Sequence, residues 1–360
     1  MISFYIIITL IFLIFSIIFF KYFFEKQIVS SARINKISVV VAAKNESGNI
    51  KNLIKALSSQ TYPVNSFEVI IVNDNSSDDT YEKITESIQD LSNFKVLTAK
   101  NKIFEAKRGA LQTGIESSKY PYILITDADC EPSGQWIEKS NEMFNRGFDF
   151  IFGLAPFFTE NTFVNKLARF ENLWTHILTF SFAKIGLPYS ATARNFGFKK
   201  LSFEEIGGYK NTTQSLSGDD DLLLREAVKH KLKIGCITDR TASVLSKSPS
   251  SYSAYLKQKA RHTSTSHHYL PKHKFLLGLW HLSNLILLFG VFYIWNAPAL
   301  LYFFLIKLLT NFTLVSVKQR ITGYNFSFIE ILYLQVLYDI QIIINFANSF
   351  FLKRNWKSDS

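Results

Sequence analysis

The stretch Tyr122-Ile123-Leu124-Ile125-Thr126-Asp127-Ala128-Asp129 decides the fold. An aromatic and apolar run with β-branched residues makes a buried strand, and two acidic side chains one residue apart follow it at once. A lone D-x-D triplet reads as a turn. At the carboxyl end of a strand it instead puts two carboxylates at the sheet edge where α/β proteins bind ligands. Hard cations such as Mg²⁺ or Mn²⁺ take oxygen ligands and share such a carboxylate pair with substrate phosphates.

Outward from this strand the same alternation repeats. Ile37 to Val41 is an apolar β-branched run, followed by a helical pattern through Ile50, Leu53, Ile54 and Leu57. Phe67 to Val72 precedes a helix starting near Asp78, and Phe94 to Leu97 precedes a helix over Ala106 to Ser117. Strands alternating with helices predict an α/β domain with a mostly parallel sheet, over residues 36–270. The first two strands also end in polar residues: Ala43-Lys44-Asn45-Glu46 after one and Asn73-Asp74-Asn75-Ser76-Ser77-Asp78-Asp79-Thr80 after the other. Ser76, Ser77 and Asp78 are expected to cap the next helix. Asp74, directly at the strand end, is placed to accept a hydrogen bond from a nucleobase imide.

The rest of the 360 residues points to a membrane, because the 48% hydrophobic composition is concentrated at the two ends. Ile2 to Phe20 is long enough to cross a bilayer, so residues 1–22 are predicted to be an anchor. No basic segment precedes it and no small-residue cleavage site follows it, so it is expected to stay uncleaved. Lys21, Lys26, Arg33 and Lys36 follow, which puts the next domain in the cytoplasm. Residues 275–317 are predicted to form two transmembrane helices turning at Asn296-Ala297-Pro298, with His273-Lys274 and Lys318 with Arg320 holding both ends inside. Residues 324–352 form a third segment, spanning, re-entrant or interfacial, which carries Glu330 and Asp339 and precedes Lys353, Arg354 and Lys357.

From Phe163 the residues Leu167, Phe170, Trp174, Phe182 and Ile185 recur at helical spacing, suiting either a core helix or one in the membrane interface. The net charge of +11 is spread along the chain and crowds beside the apolar spans. It fits anionic lipid headgroups and gives no nucleic-acid footprint. Cys130 and Cys236 lack metal-ligand spacing and read as reduced thiols.

Two later segments carry chemistry. Gly218-Asp219-Asp220-Asp221 precedes a helix-forming run from Leu222. Acidic residues suit a helix N-terminus, but three in a row exceed that need, and their repulsion raises the pKa of one of them toward what a general base requires. Tyr255-Leu256-Lys257-Gln258-Lys259-Ala260-Arg261-His262 is a basic, amide-bearing helix just before the next apolar span.

In this order the segments resemble the family 2 inverting glycosyltransferases with the GT-A fold. The resemblance covers residues 36–265 and is nearest to the membrane group that includes ceramide glucosyltransferase, hyaluronan synthase and cellulose synthase. It implies that Ala43 and Glu46 line the nucleotide pocket, that Asp74 contacts the base, and that Lys107, in Glu105-Ala106-Lys107-Arg108-Gly109-Ala110-Leu111, lies near the donor diphosphate. Asp127, Ala128 and Asp129 match the D-x-D motif, with Asp127 and Asp129 at a Mg or Mn ion and Asp129 the direct ligand. Asp219-Asp220 stands in place of the family's Glu-Asp pair, which makes Asp220 the expected catalytic base and puts Asp219 in the acceptor region. Gln258, Arg261 and His262 align with the Q-x-x-R-W motif. Gln258 and Arg261 are then donor-diphosphate contacts, and His262 replaces the tryptophan that faces the acceptor.

The function this implies is a membrane glycosyltransferase that moves a sugar from a UDP-linked donor to a membrane lipid, in the cell (inner) membrane with its catalytic domain cytoplasmic. The alternatives are a processive polysaccharide synthase with a glycan acceptor and, more remotely, a non-catalytic membrane scaffold. Nucleotide sugar, acceptor and membrane lipids are the expected partners, with no obligate protein partner. A nucleotide-cofactor oxidoreductase is disfavoured, because Ala42-Ala43-Lys44-Asn45-Glu46-Ser47-Gly48 is no G-x-G-x-x-G.

Overall fold

The computed structural model describes residues 1–22, 33–215 and 217–351. Lys26, Lys353, Arg354 and Lys357 lie outside these residues. Among those described, residues 33–158 and 188–247 form one compact unit, and residues 1–22, 159–187 and 248–351 form another. The stretches 159–187 and 248–270, read from the sequence as part of a continuous 36–270 domain, thus group with the apolar helices.

Helix α1 (Ile2–Tyr22) opens the chain in the helical unit. The α/β unit then runs β1 (Ile37–Ala43), α2 (Ile50–Ser58), β2 (Phe67–Asn73), α3 (Thr80–Ser87), β3 (Phe94–Thr98), α4 (Ala106–Glu116), β4 (Tyr122–Asp127), β5 (Cys130–Pro132), α5 (Trp136–Asn145) and β6 (Phe150–Gly153). After α6 (Phe163–Lys184), which belongs to the helical unit, come β7 (Phe196–Lys199), α7 (Lys200–Glu205), α8 (Asp221–Lys229), β8 (Ile234–Ile237) and β9 (Val244–Ser246). Seven strands make one sheet in the order β3-β2-β1-β4-β7-β6-β8. Its parallel half, β3 to β4, is the part whose alternation is visible in sequence. β7 runs antiparallel to both β4 and β6, and β5 pairs with β9 in a separate two-stranded ribbon.

Burial explains these elements. α2 sinks Ile50, Leu53, Ile54 and Leu57, a single stripe at helical spacing, onto one sheet face. That face presents Ile37, Val39 and Val41 from β1 with Val69 and Ile71 from β2, joined by Trp136, Ile137 and Phe144 of α5. On the opposite face α4 approaches so closely that a Cβ on Gly114 would lie 2.4 Å from Val40 Cγ1. Glycine therefore sets the helix-to-sheet distance there.

The helical unit continues with α9 (Tyr252–Ser266), α10 (Pro271–Phe289), α11 (Leu300–Thr322) and α12 (Phe328–Phe351). Among the described residues four helices are long and apolar enough to cross a membrane: Ile2–Lys21, Pro271–Tyr293, Leu300–Thr322 and Phe328–Phe351. α6 is buried along most of its length, as expected of a core helix. Trp280 of α10 is central, with Phe12 stacked at 5.5 Å, Phe19 edge-on at 4.9 Å and Trp174 of α6 at 5.8 Å. Buried aromatics supply large contact areas between these helices. Polar contacts join them as well: Asn311 of α11 donates to Asn284 Oδ1 of α10 at 3.0 Å, and Lys307 of α11 forms a buried 2.6 Å ion pair with Asp339 of α12.

Candidate active site

Strand register assembles the site. Ala43 pairs with Asn73, Ala42 with Asp127 and Asn73 with Thr98, so β1, β2, β3 and β4 finish level at one edge. The chain fills the sheet outward from β1 to β3 and returns to the other side of β1 with β4. Such a reversal leaves a crevice at the carboxyl ends of the strands.

The two loops that open there are tied to each other. Asn45 and Asn75 both take the left-handed conformation, φ 52°, which asparagine tolerates better than most residues. The Asn45 amide donates to Ser76 Oγ at 3.1 Å, and the Ser77 amide donates to Asn45 Oδ1 at 2.9 Å. Asp78 accepts from the Ser47 amide at 3.1 Å and from the Thr80 amide, the first of α3, at 3.1 Å. Burial acts to raise its pKa, but the hydrogen bonds from Thr80 and Ser47 outweigh it and bring the value down to about 2. Of the expected cap residues, Asp78 alone serves the helix, while Ser76 braces the first loop. Glu46 is buried, its amide donating to Thr80 Oγ1 at 2.8 Å and its carboxylate accepting from Asn49 Nδ2 at 2.8 Å.

Asp74 lies just beyond β2, 4% exposed, and its carboxylate forms a 2.6 Å ion pair with Lys102. Lys102 had no signal in sequence, because it sits in an irregular loop rather than in a patterned element. Gly109 shapes that loop: a Cβ there would come within 2.2 Å of the Phe104 carbonyl oxygen and 2.7 Å of Lys102 Cβ.

Lys107, in the first turn of α4, is the centre of the cleft. Its Nζ lies 2.5 Å from Asp127 Oδ1 and 2.8 Å from Asp219 Oδ2, joining the end of β4 to the acidic loop before α8. Burial alone would lower its pKa, but the charges of Asp127 and Asp219 raise it well above the usual lysine value. Gly218, at φ 103°, turns the chain into that loop in a conformation other residues resist.

The three aspartates then diverge. Asp219 is desolvated, yet the Lys107 charge holds its pKa below the usual value. Asp220 is pushed well above, first by burial and then by Asp221 and Asp219. Its oxygens accept from the Asp221 amide at 2.7 Å and the Ala193 amide at 2.8 Å. Asp221 points elsewhere, accepting from Ser190 Oγ at 2.7 Å and the Ala191 amide at 3.0 Å. Tyr209, buried with its hydroxyl unpartnered, and Arg194, whose charge acts on Asp129, also border this cleft. Neither was visible as a site residue in the sequence.

Asp127, Asp129 and Cys130 bring one potential ligand atom each within 4.8 Å of one another. Asp129 is exposed as a residue, but desolvation, and then the Asp127 and Glu46 carboxylates, raise its pKa. A divalent cation would relieve that repulsion, so the two carboxylates fit a hard metal ion. The Cys130 thiol, pushed well above its ordinary pKa by burial and then by Asp129 and Asp127, is the softer donor of the three and suits a hard cation less than the carboxylates do. Ala128, between the two acids, is buried. Gln258, Arg261 and His262 lie on α9 in the helical unit, at positions i, i+3 and i+4 that share one helix face.

Comparison with known proteins agrees with this architecture. A family model described as glycosyl transferase family 2 matches residues 38–207, from β1 past α7. Glycosyltransferase AglE of Haloferax volcanii is 30% identical over 140 residues, 38% of this chain and 45% of that protein. A beta-monoglucosyldiacylglycerol synthase of a Nostoc species is 31% identical over 123 residues, 34% of this chain and 26% of its own. The chain thus spans less than half the length of these two relatives. Among solved structures, the mannosyltransferase PcManGT of Pyrobaculum calidifontis, in complex with GDP-Man and Mn²⁺, superposes with a TM-score of 0.59 at 14% identity, covering 96% of both chains. The family match extends over the strands that carry Asp74, Asp127 and Asp129, so residues 38–207 of the α/β unit are similar to glycosyl transferase family 2.

Proposed function

We propose that this protein transfers a sugar, with inversion, from a nucleoside diphosphate sugar to a hydroxyl group of a membrane lipid. The observation that carries the reading is the Lys107 bridge between Asp127 and Asp219 at 2.5 and 2.8 Å. It joins a diphosphate-binding edge to an acidic pair in which one carboxylate is neutralised by lysine while its neighbour Asp220 has a raised pKa.

In the proposed reaction the acceptor oxygen attacks the anomeric carbon as Asp220 takes its proton. The bond to the diphosphate oxygen breaks, and its electron pair leaves with the nucleoside diphosphate. Lys107 lies beside the phosphates and offsets part of their charge. Ala43 and Glu46 border the nucleotide, and Asp74 accepts the imide hydrogen of the base, for which a uridine donor is proposed. Asp129, with Asp127, would hold Mg²⁺ or Mn²⁺, and a metal there supplies charge stabilisation for the leaving diphosphate.

The lipid acceptor is supported by the four apolar helices and by the relative named as a glucosyldiacylglycerol synthase. The replacement of tryptophan by His262 supports one or a few transfers, since an indole is the better surface for packing a growing glycan. A cytoplasmic active site at the cell membrane completes the reading. The test incubates membranes holding the full chain with a panel of labelled nucleotide sugars. Label is expected in organic-extractable, low-molecular-weight product, and it should vanish with Asp220→Asn. Label accumulating in high-molecular-weight polysaccharide would overturn the lipid acceptor and establish a synthase.

A further inference from the structure

The helical unit holds a buried guanidinium that the proposed reaction does not use. Arg169 of α6 is only 5% exposed, and its Nε has no hydrogen-bond partner. No hydrogen bond or ion pair reaches the guanidinium from any other described residue. It lies instead against two rings, its Cζ 4.7 Å from the Tyr324 centroid and 5.1 Å from that of Phe326.

That frame is built rather than accidental. Tyr324 and Phe326 sit in the short connection between α11 and α12, which Gln319 clamps from both sides. Gln319 Oε1 accepts from the Phe326 amide at 2.6 Å, and its backbone oxygen accepts from the Tyr324 amide at 2.9 Å. The Tyr324 hydroxyl donates to Asn172 Oδ1 at 2.7 Å, one turn along α6 from Arg169. The acid whose charge acts on Arg169, Glu330, is already engaged. It pairs with Lys166 at 2.8 Å and accepts from the Ser327 amide at 2.8 Å, completing a capping box with Ser327 at the start of α12. Arg169 is therefore left as a permanent cation with no close counter-charge, which is costly in a buried place unless an anion completes it.

The surroundings indicate which anion. Lys166 lies in the first turn of α6 and Arg320 in the last turn of α11, while Lys318 is buried against the Phe20 carbonyl oxygen at 3.0 Å; basic helix ends of this kind face the cytoplasmic leaflet, where anionic lipids concentrate. A guanidinium fork matches phosphate oxygens in pairs, and the flanking rings suit the border between headgroup and acyl chain. We propose that Arg169, framed by Tyr324 and Phe326, binds the phosphate of a lipid headgroup carrying net negative charge.

Purified full chain in a neutral detergent tests this by native mass spectrometry with short-chain phosphatidylglycerol, phosphatidylcholine or inorganic phosphate. Phosphatidylglycerol should bind at least about tenfold more tightly than phosphatidylcholine, as for a charge-assisted bidentate contact. Arg169→Gln should remove that preference, and Arg169→Lys, which keeps charge and stem but loses the fork, should reduce it severalfold. Failure of millimolar inorganic phosphate to compete supports a lipid source, whereas full competition with no lipid preference assigns the site to free phosphate and overturns the headgroup. If Arg169→Gln does not fold, Arg169→Lys decides, and an undiminished preference in that variant overturns the proposal.

Discussion

Asp219, Asp220 and Asp221 are the same residue in three adjacent positions, and their partners alone distinguish them. Lys107 neutralises Asp219, and Ser190 and Ala191 occupy Asp221. Asp220 takes the raised pKa. Asp220→Asn should therefore lower turnover by on the order of 10²-fold or more with donor affinity within a fewfold, measured by initial rates and donor binding. Asp221→Asn should chiefly lower thermal stability, because it loosens the loop at residues 190–191. An active Asp220→Asn with a dead Asp221→Asn would move the base by one residue. The sign of the pH dependence follows from the raised pKa. Asp220 must be ionised to accept a proton, so kcat/KM should fall as pH falls through a value above the ordinary carboxylate pKa of about 4. A profile whose acid-side fall lies at or below the ordinary carboxylate pKa would exclude Asp220 as a base of raised pKa.

At the scale of elements, the contact between α11 and α12 contains a buried charge pair. Lys307 and Asp339 meet at 2.6 Å, 0% and 6% exposed. Removing one partner leaves the other charge buried, which costs about 3–5 kcal/mol, whereas replacing both with apolar residues is often neutral. Lys307→Met and Asp339→Leu are each expected to lower the thermal midpoint in detergent markedly, and the double variant to regain most of the loss. Equal, additive losses in the double variant would show that the pair contributes no coupling. The elements differed in how legible they were. β1 to β4 could be read because parallel strands buried on both faces give continuous apolar runs between helices with clear periodicity. β6, β7 and β8 could not, because each is four residues long and β7 runs against its neighbours. Phe196-Gly197-Phe198-Lys199 carries no local mark of its direction.

For the whole molecule, the chemistry proposed for the α/β unit calls for a divalent cation. Activity should be lost in excess chelator and restored by Mn²⁺ or Mg²⁺, and Asp129→Ala should not be restored. Full turnover in chelator would remove the metal from the reading. Sequence alone determined the α/β order, the apolar helices and the acidic residues at strand ends, since each depends on neighbours within a few positions along the chain. It also supplied Asp74, Asp127 and Asp219 as separate candidates, to which the family resemblance added Lys107. Only the tertiary structure decided that Lys107 touches both Asp127 and Asp219, residues 20 and 112 positions away, and that Lys102 covers Asp74. The structure likewise assigned α6 to the helical unit and left Arg169 against Tyr324 and Phe326. The physical reason is common to all of these. Periodicity and composition record what a segment buries, whereas an ion pair or an unpaired charge depends on which distant segments the register and packing bring within a few ångströms.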